Sequence, residues 1–246
     1  VLSTYTVEHD NLSGVTPETR VLTEYLGDDA GRLLTVKKKL NDAGTSRQIA
    51  RYAYDALGRL ASKTLGSLET LRYDYNVHGW LRGINRDYAN GSGSHYFGME
   101  LDYDYGFSQQ QYTGNIAGQR WRTSGDGARR AYGFSYDLAS RLGQADFRQY
   151  TSGSWNLNAN VDYSVSNLAY DVNGNIKIMR QKGLFSTTSG TVDNMAYTYR
   201  NSGTSNQLDN VTDNGTSTVL GDFKDGHSGA GASASASSGP LTPDLN

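Results

Sequence analysis

The stretch YAYDALGRL, residues 52–60, sets two tyrosines one residue apart, then Asp, two small or apolar residues, Gly, Arg and Leu, and the chain keeps returning to this order. YLGDDAGRL begins at Tyr25, YDYNVHGWL at Tyr73, FSYDLASRL at Phe134 and LAYDVNGNI at Leu168, with a looser relative, YTYRNSGTSNQL, from Tyr197. A segment that recurs is a building unit. The fold is therefore constrained first by what one copy can form, and second by how copies stack on each other.

One copy reads as a β-hairpin. Asp or Asn favours the first position of a type I turn, and Gly the fourth, where it takes the left-handed conformation without a Cβ penalty. A type I turn closed in this way is a three-residue hairpin loop with a bulge. Ala56, Leu57 and Gly58 then form the loop, Asp55 faces Arg59 across the strands, and Tyr54 faces Leu60. Period-two alternation puts Tyr52, Tyr54 and Leu60 on one face and the charged pair on the other.

The variants follow the same logic. Asp28, Gly31, Arg32 and Leu33 repeat it in full, although Gly27 replaces the second tyrosine. Asn76, Gly79 and Leu81 keep the turn, but Trp80 removes the ion pair. Asp171, Gly174, Asn175 and Ile176 exchange the pair for polar partners. Asp137 and Arg141 keep the pair with Ser140 in the glycine place, so Ser140 either adopts a strained left-handed backbone or sits in a different turn.

Between these turns lies a second set. Asn41 to Gly44 separates two extended runs, the first with Leu34, Val36 and Leu40 alternating with polar residues. Similar clusters occur at ANGSGSH (89–95), TSGDGAR (123–129), TSGSWN (151–156) and TTSGT (187–191). The turn glycines Gly31, Gly58 and Gly79 are 27 and 21 residues apart, which fits one motif turn and one opposite turn per unit. The interval from Gly79 to Ser140 has room for an extra unit around YTGNI (112–116). No helical stripe persists for 11 residues. The expectation is an all-β fold, a meander of long antiparallel hairpins.

Composition agrees with this and limits the rest. Tyrosine is abundant at 18 residues and glycine at 29, while proline is rare at 3, the usage of strands joined by tight turns. Cysteine is absent, so no disulfide framework is possible. A net charge of -2 and a pI near 6.1 leave no footprint for nucleic acid. No apolar run approaches the roughly 18 residues of a membrane span. The chain opens at Val1 with neither Met nor an apolar leader and stops mid-pattern at Asn246, as expected of a segment of a longer protein.

The recurrent Tyr-x-Tyr-Asp-x-x-Gly-Arg-Leu, with its Asn-Gly-Asn-Ile variant at 173–176, resembles the YD or RHS repeats of bacterial Rhs proteins. Related repeats occur in the shell subunits of insecticidal toxin complexes and in teneurins. The resemblance covers roughly residues 20 to 210 and is carried by Tyr52, Tyr54, Asp55, Gly58, Arg59 and Leu60, with Asp28, Gly31, Arg32, Asn76, Gly79, Asp137, Arg141, Asp171 and Gly174 in the other copies. It implies a β-sheet that coils into a hollow shell, in bacterial members often around a C-terminal toxin. The implied partners are the remainder of the same polypeptide and its enclosed cargo, with secretion machinery or surface proteins as further candidates. The implied location is secreted or at the bacterial cell surface. The family's autocleavage region has no counterpart here, nor has a toxin domain.

Other chemistry reads as structural. The four histidines, His9, His78, His95 and His227, are scattered, without i,i+4 pairs or neighbouring cysteine, so no metal site is expected. GHSGA (226–230) misses the nucleophile elbow because its fifth residue is Ala230. DVNGN (171–175) has Gly174 in the fourth place rather than the sixth that a calcium loop needs. Lys37 to Lys39 read as a solvated strand face. Asp102 and Asp104 share one strand face beside tyrosines, a poor start for a catalytic pair. No enzyme activity and no cofactor is expected.

Two readings of the tyrosines stand. They form packing ladders, each ring buried while its hydroxyl finds a partner, or they stack on sugars as an adhesin or carbohydrate-binding surface together with Trp80, Trp121 and Trp155. Residues 1–228 form the repeat segment and 229–246 a low-complexity Gly/Ala/Ser stretch. That stretch is either a linker or a disguised further repeat, with Gly239 in the turn-glycine place and Leu241 in that of Leu60.

Overall fold

Alternating aromatic and polar residues, punctuated by glycine-rich turns and almost free of proline, favour extended chain that returns on itself. The computed structural model describes residues 2–9, 18–157, 161–185 and 187–215. Among them the regular structure is antiparallel β-strand with one single-turn helix, so the all-β expectation holds. No described helix is long and apolar enough to cross a membrane. The low-complexity stretch 229–246, with His227 and GHSGA, lies outside the described residues.

Two units divide the chain, residues 1–100 with 123–125, and residues 101–122 with 126–246. The first contains β1 (Leu2–His9), β2 (Glu18–Gly27), β3 (Leu33–Leu40), β4 (Arg47–Tyr54), β5 (Leu60–Leu65), β6 (Glu69–Tyr75), β7 (Leu81–Ile84), the helix α1 (Arg86–Ala89) and most of β8 (Phe97–Asp102). Each strand pairs antiparallel with the one before it. Register shifts fall at Leu26/Gly27, Ala53/Tyr54 and Asp74/Tyr75, the last residues before the motif turns. These are the bulges that a three-residue loop requires. Val36 and Ala50 pair across β3 and β4 and are both buried.

The second unit contains β9 (Gly118–Thr123, all but its last residue), β10 (Arg129–Tyr136), β11 (Leu142–Thr151), β12 (Ser154–Leu157), β13 (Val165–Tyr170), β14 (Ile176–Phe185), β15 (Thr188–Tyr199) and β16 (Leu208–Asp213). From β9 to β11 and on through β13 to β16 the strands neighbour in order, with β12 pairing β11 off the main path. Bulges again precede the turns, at Ser135/Tyr136, Ala169/Tyr170 and Thr198/Tyr199. Register places Trp121, Arg130, Gln149 and Asn156 in one cross-strand row and Arg120, Ala131, Arg148 and Leu157 in the next. Adjacent rows point to opposite faces. The first face carries an aromatic cluster in which Phe147 meets Tyr132 at 5.4 Å and Tyr163 at 5.4 Å, ring centre to ring centre, and Tyr132 stacks on Trp121 at 5.5 Å.

Two turn expectations are corrected. Residues 112–116 do not form a hairpin: the chain between β8 and β9 is irregular, because Ser108 to Gln111 offer no apolar alternation from which to build a first strand. Most of the 187–191 cluster is strand and not turn: β15 begins at Thr188, and Ser189 and Gly190 pair with Leu184 and Gly183 of β14.

Candidate functional site

The repeated turn is closed by the same set of hydrogen bonds in several copies. In the copy that begins at Tyr52, the Asp55 N–H donates to the Arg59 carbonyl at 2.8 Å and the Gly58 N–H to the Asp55 carbonyl at 2.9 Å. Asp55 Oδ1 accepts from the Leu57 and Arg59 N–H groups, both at 2.9 Å, and Oδ2 from Arg59 Nε at 2.7 Å. One carboxylate thus closes the turn twice, through the backbone and through the guanidinium. Asp28 and Asp137 make the same set, with 2.7 Å from Oδ2 to Arg32 Nε and to Arg141 Nε. Asp171 substitutes the Asn175 amide at 2.8 Å, and Asn76 keeps the backbone half, accepting from His78 and Trp80 at 3.0 Å.

The fourth turn residue is left-handed in every one of these copies: Gly31 at φ 76°, Gly58 at 78°, Gly79 at 80°, Gly174 at 89° and Ser140 at 59°. Ser140 therefore takes the strained conformation and not a different turn. The bonds around Asp137 hold it there, including the Ser140 N–H to the Asp137 carbonyl at 3.0 Å.

The copies also hold one another. The second tyrosine of each motif donates its hydroxyl to the carbonyl just after the preceding turn: Tyr54 to Leu33 at 2.9 Å, Tyr75 to Leu60 at 3.0 Å, Tyr170 to Leu142 at 2.7 Å and Tyr199 to Ile176 at 2.9 Å. In return the motif arginine lies over the ring of the following tyrosine, Arg32 over Tyr54 at 4.9 Å, Arg59 over Tyr75 at 4.7 Å and Arg141 over Tyr170 at 4.6 Å. Arg141 goes further and donates to the Asp171 carbonyl at 3.1 Å, while Asn175 reaches Asn206 at 3.0 Å. Alternation had put the charged pair on the face opposite the tyrosines. The bulge before each turn breaks that alternation, and the arginine reaches the tyrosine side of the next copy.

The electrostatics follow from these contacts. The Arg59 guanidinium holds Asp55 below the usual carboxylate range. For Asp28 and Asp137 the backbone N–H of Arg32 and of Arg141 contributes most, and for Asp171 the Asn175 amide does. Burial pushes the Tyr75, Tyr136 and Tyr199 phenols up, so they remain donors.

The 112–116 segment supplies half of this device. Ile116 offers its carbonyl to the Tyr136 hydroxyl at 2.8 Å, as Leu60 does for Tyr75, although no hairpin leads to it. Asp102 and Asp104 do not share a strand face: Asp102 ends β8, fully buried and 3.1 Å from Arg120, while Asp104 lies exposed in the following loop. Trp121 and Trp155 point to opposite faces of their sheet and cannot form one platform. His95 sits with Nδ1 3.2 Å from Glu69 and Nε2 3.7 Å from Asp87, a grouping unmarked by any local spacing.

No family model and no curated protein matches the chain. Among solved structures, it is similar over 80% of its length to a chain of the Photorhabdus luminescens Tc holotoxin pore, at 12% identity and a TM-score of 0.32. The TcdB2-TccC3 crystal structure matches 81% of the chain at 13% identity with a TM-score of 0.44, and its TEV variant 86% at 11% with 0.38. The chain spans between 11% and 13% of the length of these proteins.

Proposed function

We propose that this chain is a wall segment of a larger β-shell that encapsulates or presents another part of the same polypeptide. The observation that carries the reading is the interlock: each copy is tied to its neighbour by a tyrosine hydroxyl on a backbone carbonyl and a guanidinium on an aromatic ring. A sheet built in this way propagates by adding copies, with stability summed over nearest neighbours rather than drawn from one large core. Such a wall suits steric confinement. The resemblance of the recurrent motif to the YD repeat supports it too, and the reading brings with it a secreted or cell-surface parent and no catalytic role for this segment. The alternative, a carbohydrate-binding module, needs open aromatic faces, whereas Tyr54, Tyr75 and Tyr170 each have the hydroxyl and one ring face already engaged.

Limited proteolysis of the full-length parent polypeptide tests the proposal. The region following Asn246 is expected to resist cleavage while the repeats are intact, and to become sensitive when Arg59→Met and Tyr75→Leu are introduced together. Cleavage of that region at the rate of the isolated segment in the unmutated parent would overturn it.

A further inference from the structure

On the face of β9–β12 opposite the aromatic cluster, the loop between β8 and β9 folds over the strands and leaves a cleft of about 270 Å³, lined by Phe107, Arg120, Ala131, Arg148 and Trp155. Phe107 is held in place by a pair of glycines. Gly118 and Gly133 face each other in register, and a Cβ on Gly118 would collide with the Phe107 ring, as one on Gly133 would press it at 3.1 Å. Arg120, Ala131 and Arg148 form the next cross-strand row, so the two arginines stand two strands apart, about 10 Å between Cα atoms, with only the alanine methyl between them.

Their charges are treated differently. Arg120 is 3.1 Å from the buried Asp102 carboxylate and lies over the Phe107 ring at 5.3 Å. Arg148 makes no ion pair among the described residues, and its Nε is buried without a hydrogen-bond partner. Asp146, two residues along the same face of β11, is instead bonded by the Gln144 amide at 2.5 Å. A guanidinium whose N–H is withdrawn from water and left unpaired is unfavourable by itself. A cleft that combines it with a second guanidinium and two aromatic walls matches a small acid, charged at one end and apolar at the other.

We infer that this cleft is a carboxylate-binding site, in which Arg148 receives the oxyanion beside Arg120 while Phe107 and Trp155 flank the apolar body. The carboxylate comes either from a free small acid or from an acidic side chain of a polypeptide lying on this face. The inference is independent of the shell reading.

The purified chain, labelled with ¹⁵N-arginine, provides the test. The Arg148 Nε–H resonance, assigned by its loss in Arg148→Met, is followed during titration with benzoate, with inorganic phosphate and with the peptide acetyl-Gly-Glu-Gly-amide. A saturable shift with benzoate supports a free acid as ligand, and a shift with the peptide alone supports the same chemistry delivered by a chain. In either case Arg148→Met weakens binding of the responding probe, read calorimetrically, by about tenfold or more, the loss of a charge-assisted bidentate contact, whereas Arg180→Met leaves it unchanged. Arg148→Met also keeps or raises the melting temperature of the unliganded chain, since it removes a guanidinium N–H that is buried without a partner, and abolishes the rise that the ligand produces in the unmutated chain. If the methionine variant fails to fold, Arg148→Lys, which keeps the charge without the planar fork, is expected to weaken binding several-fold. No shift with benzoate or peptide, a response to phosphate alone, or binding that survives both substitutions overturns the inference.

Discussion

Tyr54, Tyr75, Tyr136, Tyr170 and Tyr199 occupy one motif position, and each donates its hydroxyl to a carbonyl 15 to 28 residues earlier. Two places before them the residue varies, from Tyr52 and Tyr73 to Phe134, Leu168 and Tyr197. From sequence the two places read alike; the structure separates them, asking for a hydroxyl at one and only for bulk at the other, because the acceptor belongs to another copy. Tyr75→Phe is therefore expected to lower stability by about 0.5–1.5 kcal/mol, leaving a half-buried carbonyl unpaired, while Tyr73→Phe changes the urea midpoint little. The turn position gives opposite signs in two copies. Gly58→Ala destabilises and Ser140→Gly stabilises, each on the order of 1 kcal/mol, the penalty of a Cβ in the left-handed region, and equal signs in urea titrations would refute the account. The carboxylates set the response to acid. Asp55 and its counterparts titrate below the ordinary 3.8 in the folded chain, so their stabilisation is fully present above pH 3.8 and lost as pH falls through the lowered values. Asp126, held down to about 2 chiefly by the Arg130 guanidinium, extends that loss furthest. Urea midpoints measured down the pH scale should fall in this window, and Asp126→Asn should remove the part lost between pH 3.8 and about 2.

Hairpins were readable from the chain because loop, bulge and ion pair all lie within nine residues, where local chemistry decides. The loop between β8 and β9 was not. Its role rests on Phe107 meeting Gly118 and Gly133, residues that within their own strands look only like weak strand formers. Nor does any local spacing bring Arg120 and Arg148 together; register does, through Ala131. The 187–191 assignment failed for a related reason, since Gly190 reads as a turn residue but serves in β15 as a flat position against the Phe185 ring. Glycine marks both sharp turns and close approaches, and only pairing tells them apart. Gly118→Ala is expected to expel Phe107 and destabilise by about 1–3 kcal/mol, the usual range for overpacking. Phe107→Ala in the same chain should relieve most of the steric part, so that the two changes are less than additive. Strict additivity in urea titrations would show that the ring does not rest on Gly118.

A chain whose copies hold only their neighbours has a property that an ordinary core lacks: a whole copy can be removed if the cut preserves register. Deleting residues 33–59 joins Arg32 to Leu60. Arg32 then stands where Arg59 did, able to close on Asp28 and to lie over Tyr75, and the Leu60 carbonyl still accepts the Tyr75 hydroxyl. The strand β2 gains β5 as its partner in place of β3, and both alternate with the same phase relative to the turn. The shortened chain is expected to fold with an undiminished proportion of β-structure by circular dichroism and a cooperative thermal transition, its stability lower by roughly one repeat's share. Deleting residues 33–60 instead shifts the register by one, turns every following side chain of β5 to the opposite face and withdraws the Leu60 acceptor. That chain should melt far lower or not fold. If the two deletions behave alike, neighbour-to-neighbour interlocking is not what holds this sheet together, and the wall reading loses its physical basis.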